Sequence, residues 1–264
     1  RWNVILWSTK IRTIWDALYP VALYVVVSDC VYMLLTLAIG ENTISPMALQ
    51  ILTALLSSPS IVYPYFSDRR GQPREMREKK LFRLLLVCAA AVCLSVSLNN
   101  LILMTDLKEQ SETYQKVNAS FFSSTVWVEL FGTSVVTPIL EEMLYRGIVY
   151  NRLKRSGRMG MAIVISGLVF GLIHFNLVQF LYAGLIGIFL AVVYETEGTL
   201  LVPVLAHAAA NAAAVARVET GFLQGFTEEN QFFVPISLCL LAISIIITAY
   251  LTKGRLFEKQ LKYN

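Results

Sequence analysis

The chain has 264 residues, of which 56% are hydrophobic and 15% charged, with a net charge of +4 and a mean hydropathy of +0.61. A soluble globular domain carries closer to about 25% charged residues, and here the few charges sit in short islands between long apolar stretches. A soluble domain is therefore excluded. Nucleic acid is excluded as a partner too, because the basic residues flank apolar stretches, where membrane topology accounts for them.

A helix needs roughly 20 apolar residues to cross a bilayer. Eight such stretches can be drawn, over 14–39, 45–66, 82–105, 121–149, 161–176, 178–195, 199–216 and 231–252. The expected fold is all-α, a polytopic membrane protein of about eight transmembrane helices. The first stretch is too long for a secretory signal peptide and has no small-x-small cleavage site after it. Only a polar break over 174–179 separates the fifth from the sixth, so seven spans plus a re-entrant piece is a second possible count. Cys30, Cys88, Cys93 and Cys239 lie in apolar stretches with no CxxC pair, and they read as small buried hydrophobes.

Lys and Arg in the loops set orientation. Eight spans with a cytoplasmic N-terminus put that terminus, the 67–83 and 152–158 loops and the C-terminal tail on the cytoplasmic side. These hold 18 of the 22 basic residues, while Lys108, Lys116 and Arg217 fall outside and Arg146 lies within a span. The acidic 218–229 segment falls outside, and the turn with Glu195 and Glu197 is a weak exception on the cytoplasmic side.

An ionisable side chain at the bilayer centre costs at least about 2.5–3.5 kcal/mol, so it needs a partner or a purpose. The fourth stretch contains Glu141-Glu142-Met143-Leu144-Tyr145-Arg146. Glu142 and Arg146 are i,i+4 and can pair on one helix face. Glu141, turned by about 100°, has no such basic partner and is the better candidate for a general base. The fifth stretch contains Phe170-Gly171-Leu172-Ile173-His174. A lone histidine in an apolar helix is most simply an interhelical hydrogen bonder, but Gly167 and Gly171 allow a neighbouring helix to approach closely beside it. The seventh stretch places His207 and Asn211 one turn apart among alanines. Tight packing explains the alanines and leaves His207 and Asn211 unexplained. Pro138 and Pro203 precede Glu141 and His207 by three and four residues, where each can open the backbone locally.

The ordered set EExxxR, FxxxH and HxxxN resembles the CPBP family of intramembrane peptidases, also called the Abi or type II CAAX prenyl endopeptidase family. The resemblance covers roughly residues 120–216, and no motif residue departs from it. It implies a membrane-embedded endopeptidase acting on a membrane-associated peptide or protein. Glu141 would activate water with help from His174, His207 and Asn211 would hold the water or the oxyanion, and Glu142, Arg146 and Phe170 would support them. It further implies an eight-span helical fold with a cavity open to the cytosolic side. The chain then divides into a three-helix region (1–119), a catalytic core (120–216) and a last helix with a basic tail (217–264). Short loops and compact size suggest a bacterial plasma membrane.

There is no HExxH motif for a zincin and no GxSxG elbow. Glu141, His174 and His207 would nevertheless make a His₂Glu set for Zn²⁺, although Asn211 suits an oxyanion better than a metal, which favours a metal-free glutamate mechanism. Two non-hydrolytic readings stand beside the enzyme. One is an ion- or proton-coupled transporter using the same buried polar cluster, against which no inverted repeat is found. The other is an immunity or scaffold protein.

Overall fold

The computed structural model describes residues 2–40 (with side chains from residue 12), 43–70, 81–156, 158–220, 230–253 and 255. Among these every regular element is helical: α1 Trp2–Ile39, α2 Pro46–Ser57, α3 Pro59–Asp68, α4 Leu81–Leu103, α5 Leu107–Gln110, α6 Glu112–Phe121, a long α7 (126–154), α8 Met159–Leu172, α9 Leu177–Glu197, α10 Leu201–Thr220 and α11 Phe233–Thr252.

The chain is an all-α polytopic membrane protein. Five described helices are long and apolar enough to cross a bilayer: Arg12–Ile39 of α1, and α4, α9, α10 and α11. The α2–α3 pair, bent by 40° at Ser58, makes a sixth if it counts as one span. Pro59 causes the bend: it has no N–H for Leu55 O, which accepts the Ser58 N–H at 3.3 Å and the Ser58 hydroxyl at 2.7 Å instead. The expected count of eight is thus reached only as helical stretches. In the fourth, α7, the carboxylates and Arg146 dilute the apolar run. The fifth, α8, has 14 residues and covers about 21 Å, short of the roughly 30 Å hydrocarbon core. Outward-facing Leu37, Ile246 and Tyr63 are mostly exposed, as a lipid-facing surface requires.

One end of the bundle is tied by ion pairs. Arg83 meets Glu197 at 2.5 Å, Lys154 meets Glu195 at 2.7 Å, and Arg152 meets Asp68 at 2.7 Å. Arg255 also approaches Glu197, at 3.8 Å. The starts of α4 and the ends of α3, α7, α9 and α11 therefore share one end. Glu195 and Glu197, the acidic exception to the basic bias, are neutralised there by basic residues of the loops they accompany. Arg74, Arg77, Lys79, Lys80, Lys259, Lys262, Glu228 and Glu229, which also entered that bias, lie outside the described residues, as do the side chains of Arg1 and Lys10.

At the opposite end α4, α10 and α11 are joined through Asn100. Its amide donates to Ser237 at 2.9 Å, and its carbonyl accepts from Arg217 at 2.6 Å.

Candidate active site

The site is built on α7, on the turn after α8, and on α10. α7 is interrupted twice by π-helix, over Gly132–Val136 and Met143–Tyr150. Such wide turns leave carbonyls without their usual partners and recur at functional sites. In the first, Thr137 N–H donates to Gly132 O, and Pro138 has no N–H to offer Thr133 O. That carbonyl instead accepts Asn211 Nδ2 at 2.7 Å. Pro138 therefore opens the backbone as its position suggested, and the opening fixes the carboxamide of Asn211.

Glu142 and Arg146 are both fully buried and joined at 2.8 Å, the i,i+4 pair expected. Arg146 also donates to Gly187 O at 2.7 Å. Glu142 has a second partner that local spacing did not show: its Oε1, already bonded to Arg146, lies 3.0 Å from His207 Nδ1. With Arg146 on the same oxygen Glu142 is an acceptor, so His207 Nδ1 carries the proton and donates it. In the neutral imidazole that leaves Nε2 as the lone-pair nitrogen. Nε2 points at Glu141 Oε2, 3.7 Å away, beyond direct hydrogen bonding but a separation that one water can bridge.

His174 sits just past the last residue of α8, in a turn rather than within a span as expected. The turn is tight: Phe175 has a positive φ of 53°, and Asn176 caps α9 by accepting from Gln179 N–H at 2.8 Å. His174 Nδ1 lies 3.0 Å from Phe170 O, so here too Nε2 is the nitrogen left for chemistry. Phe170 organises both imidazoles, meeting the rings of His174 and His207 edge-on at 5.6 and 5.7 Å. The Arg146 guanidinium covers the Phe170 ring face at 4.9 Å.

The glycines make this geometry possible. A Cβ on Gly171 would lie 2.6 Å from Phe180 O and 2.8 Å from Gly184 N, and one on Gly167 would lie 2.6 Å from Ile188 N. The close-approach face inferred around Gly167 and Gly171 is the α8–α9 contact, and it carries His174 at its apex.

Glu141, His174, His207 and Asn211 all line one cavity of about 990 Å³. Thr133 and Thr137 share its wall with Glu141 at four-residue intervals, a pattern legible in the sequence but overlooked there. The rest of the wall comes from Asn99 to Leu103 at the end of α4, from Lys108 and Tyr114, from the first half of α9, and from α10 out to Val218. The wall runs from mid-bundle, where Glu141, Ile186 and His207 lie, to the end opposite the ion pairs, where Leu103, Lys108, Val218 and Phe233 lie. The cavity therefore opens opposite the basic loops. Cytosolic basic loops and a cavity open to the cytosol, both expected from the sequence, cannot hold together.

Among the described residues no three His, Cys, Asp or Glu side chains converge closely enough to hold a metal ion. The His₂Glu arrangement that zinc would need is not formed by Glu141, His174 and His207 as they stand.

A helical membrane bundle with a buried carboxylate–imidazole cluster on a cavity wall is the class these features define. The comparisons agree with it. Residues 123–213 match the type II CAAX prenyl endopeptidase Rce1-like family, which shows the resemblance drawn from the three motifs and points to a membrane peptidase. A Bacillus subtilis (strain 168) protein named "Putative membrane peptidase YdiL" is 32% identical over 83 residues, 31% of this chain and 34% of that protein. The chain thus spans about a third of the length of this relative. No solved structure matches significantly.

Proposed function

We propose that the protein is a membrane-embedded endopeptidase that hydrolyses a peptide bond in a membrane-associated protein or peptide by direct, metal-free activation of water. The observation that carries the reading is the meeting of Glu141, His174, His207 and Asn211 on one cavity wall, with Glu142 and Arg146 fixing His207 from behind.

Glu141 takes a proton from water held between its carboxylate and His207 Nε2, and the water oxygen attacks the scissile carbonyl carbon. Asn211 has one N–H committed to Thr133 O, and its second N–H donates to the oxyanion that forms. The proton held by Glu141 passes to the amine nitrogen, directly or through His174 Nε2, as the C–N bond breaks. Glu142 and Arg146 position His207 and touch no reacting atom.

By this reading the protein resides in a bacterial plasma membrane with both termini cytoplasmic, the placement the basic loops favour. The test is comparative. A membrane peptide that accumulates with Glu141→Gln and disappears with the wild-type protein supports hydrolysis. An ion flux that depends on Glu141, with no peptide changed, would establish the transporter reading instead.

A further inference from the structure

We propose that this active site is loaded from the extracytoplasmic face, so that its substrates are exported polypeptides or the outward segments of membrane proteins. The inference rests on the peptidase reading above and assigns its substrate class.

Two independent features of the molecule carry it. The first is where the cavity begins and stops. Its wall is drawn from the last turns of α4, from α5 and α6, from the first half of α7 down to Glu141, from the apex between α8 and α9 and the first half of α9, from α10 between His207 and Val218, and from Phe233 at the start of α11. It stops at mid-bundle: no residue before Asn99 in α4, beyond Glu141 in α7, beyond Ile186 in α9 or before His207 in α10 contributes.

The path from the basic end is closed. Leu144, Ile148, Val149, Tyr150, Leu190 and Ala191 are at most 1% exposed and fill the bundle between the site and that end. Beyond them Tyr150 donates to Glu195 at 2.6 Å, Asn151 donates to Tyr194 at 2.9 Å, and Arg152 clamps Asp68 and the Asp16 carbonyl. A packed core with a hydrogen-bonded cap leaves no passage for a polypeptide.

The second feature is charge. The closed end holds Arg69, Arg83, Arg152, Lys154, Arg155 and Arg255, whereas the open end holds Lys108, Lys116 and Arg217. Segments retained on the cytoplasmic side carry the excess of Lys and Arg, so the closed end is cytoplasmic and the open end faces out. A peptide then reaches Glu141 without crossing the bilayer, and the polar mouth at Asn99, Asn118 and Gln179 receives its backbone.

The test uses the full chain with its four cysteines replaced by serine. Val218→Cys and Asn118→Cys place single thiols at the cavity mouth, and Ser156→Cys places one at the closed end. Each variant is exposed to a membrane-impermeant maleimide in intact spheroplasts and in inverted vesicles. Labelling of both mouth positions in spheroplasts, and of Ser156→Cys only in inverted vesicles, is expected. The reverse pattern would overturn the inference and leave the peptidase reading intact.

A second measurement maps the new protein termini that vanish with Glu141→Gln onto the topology of the proteins cut. Termini confined to outward segments are expected, and termini in cytoplasmic segments would overturn the inference. The expected labelling with no such termini on either face would overturn the peptidase reading itself, and the inference with it.

Discussion

His207 Nδ1 and Glu142 Oε1 lie 3.0 Å apart, although the residues are 65 positions apart in the chain and Glu142 is already bonded to Arg146. This contact decides which imidazole nitrogen faces the cavity, and it separates the tasks of the two adjacent glutamates.

Glu142→Gln is expected to lower stability by about 3–5 kcal/mol, because it leaves Arg146 charged and unpaired where no water reaches it. It should also lower activity, since an amide no longer enforces the proton on His207 Nδ1. Thermal unfolding in detergent, with turnover measured below the transition, separates the two effects. A variant as stable as the wild type would show that the buried pair does not hold the site.

Asn211→Ala removes the carboxamide held on Thr133 O. A loss of about 10²–10³ in kcat is expected with KM little changed, the signature of a donor that acts on the oxyanion. A rise in KM at constant kcat would assign Asn211 to substrate binding instead.

Gly171→Ala and Gly160→Ala make the same chemical change in one helix with opposite expected outcomes. At Gly171 the new methyl meets the backbone of Phe180 and Gly184, whereas at Gly160 nothing lies within 4 Å. Gly171→Ala should cost about 1–3 kcal/mol and displace His174, with activity lost. Gly160→Ala should be neutral or stabilising by up to about 1 kcal/mol. Equal melting temperatures would mean that the α8–α9 contact is looser than described.

A strong chelator is expected to leave cleavage unchanged. Loss of activity that returns with added zinc, together with stoichiometric zinc in the purified protein, would replace direct water activation with a metal mechanism.

Much of the site was legible in the sequence because its parts are local. Glu142 and Arg146 stand one helical turn apart, as do Phe170 and His174, and His207 and Asn211, and a charge within an apolar stretch stands out. The partners that orient them were not legible. Asn211 reaches Thr133 across 78 residues, and it does so only because a π-turn and Pro138 free a carbonyl, which no side-chain periodicity records. A polar break over 174–179 was legible beside His174, but the tight turn at Phe175, with its positive φ, that sets His174 at an apex was not. The direction in which the cavity opens depends on which halves of the helices diverge, a property of packing that hydropathy does not carry.

The most direct test of hydrolysis at this site is the fate of the water oxygen. The peptide identified through Glu141→Gln is incubated in H₂¹⁸O with purified protein in lipid nanodiscs, and the products are weighed by mass spectrometry. One ¹⁸O in the newly formed carboxylate is expected with the wild-type protein, with formation slowed by about 10²–10⁴ in Glu141→Gln, the contribution typical of a general base. Cleavage at an equal rate by both proteins, or an intact peptide beside a Glu141-dependent ion current, would contradict it.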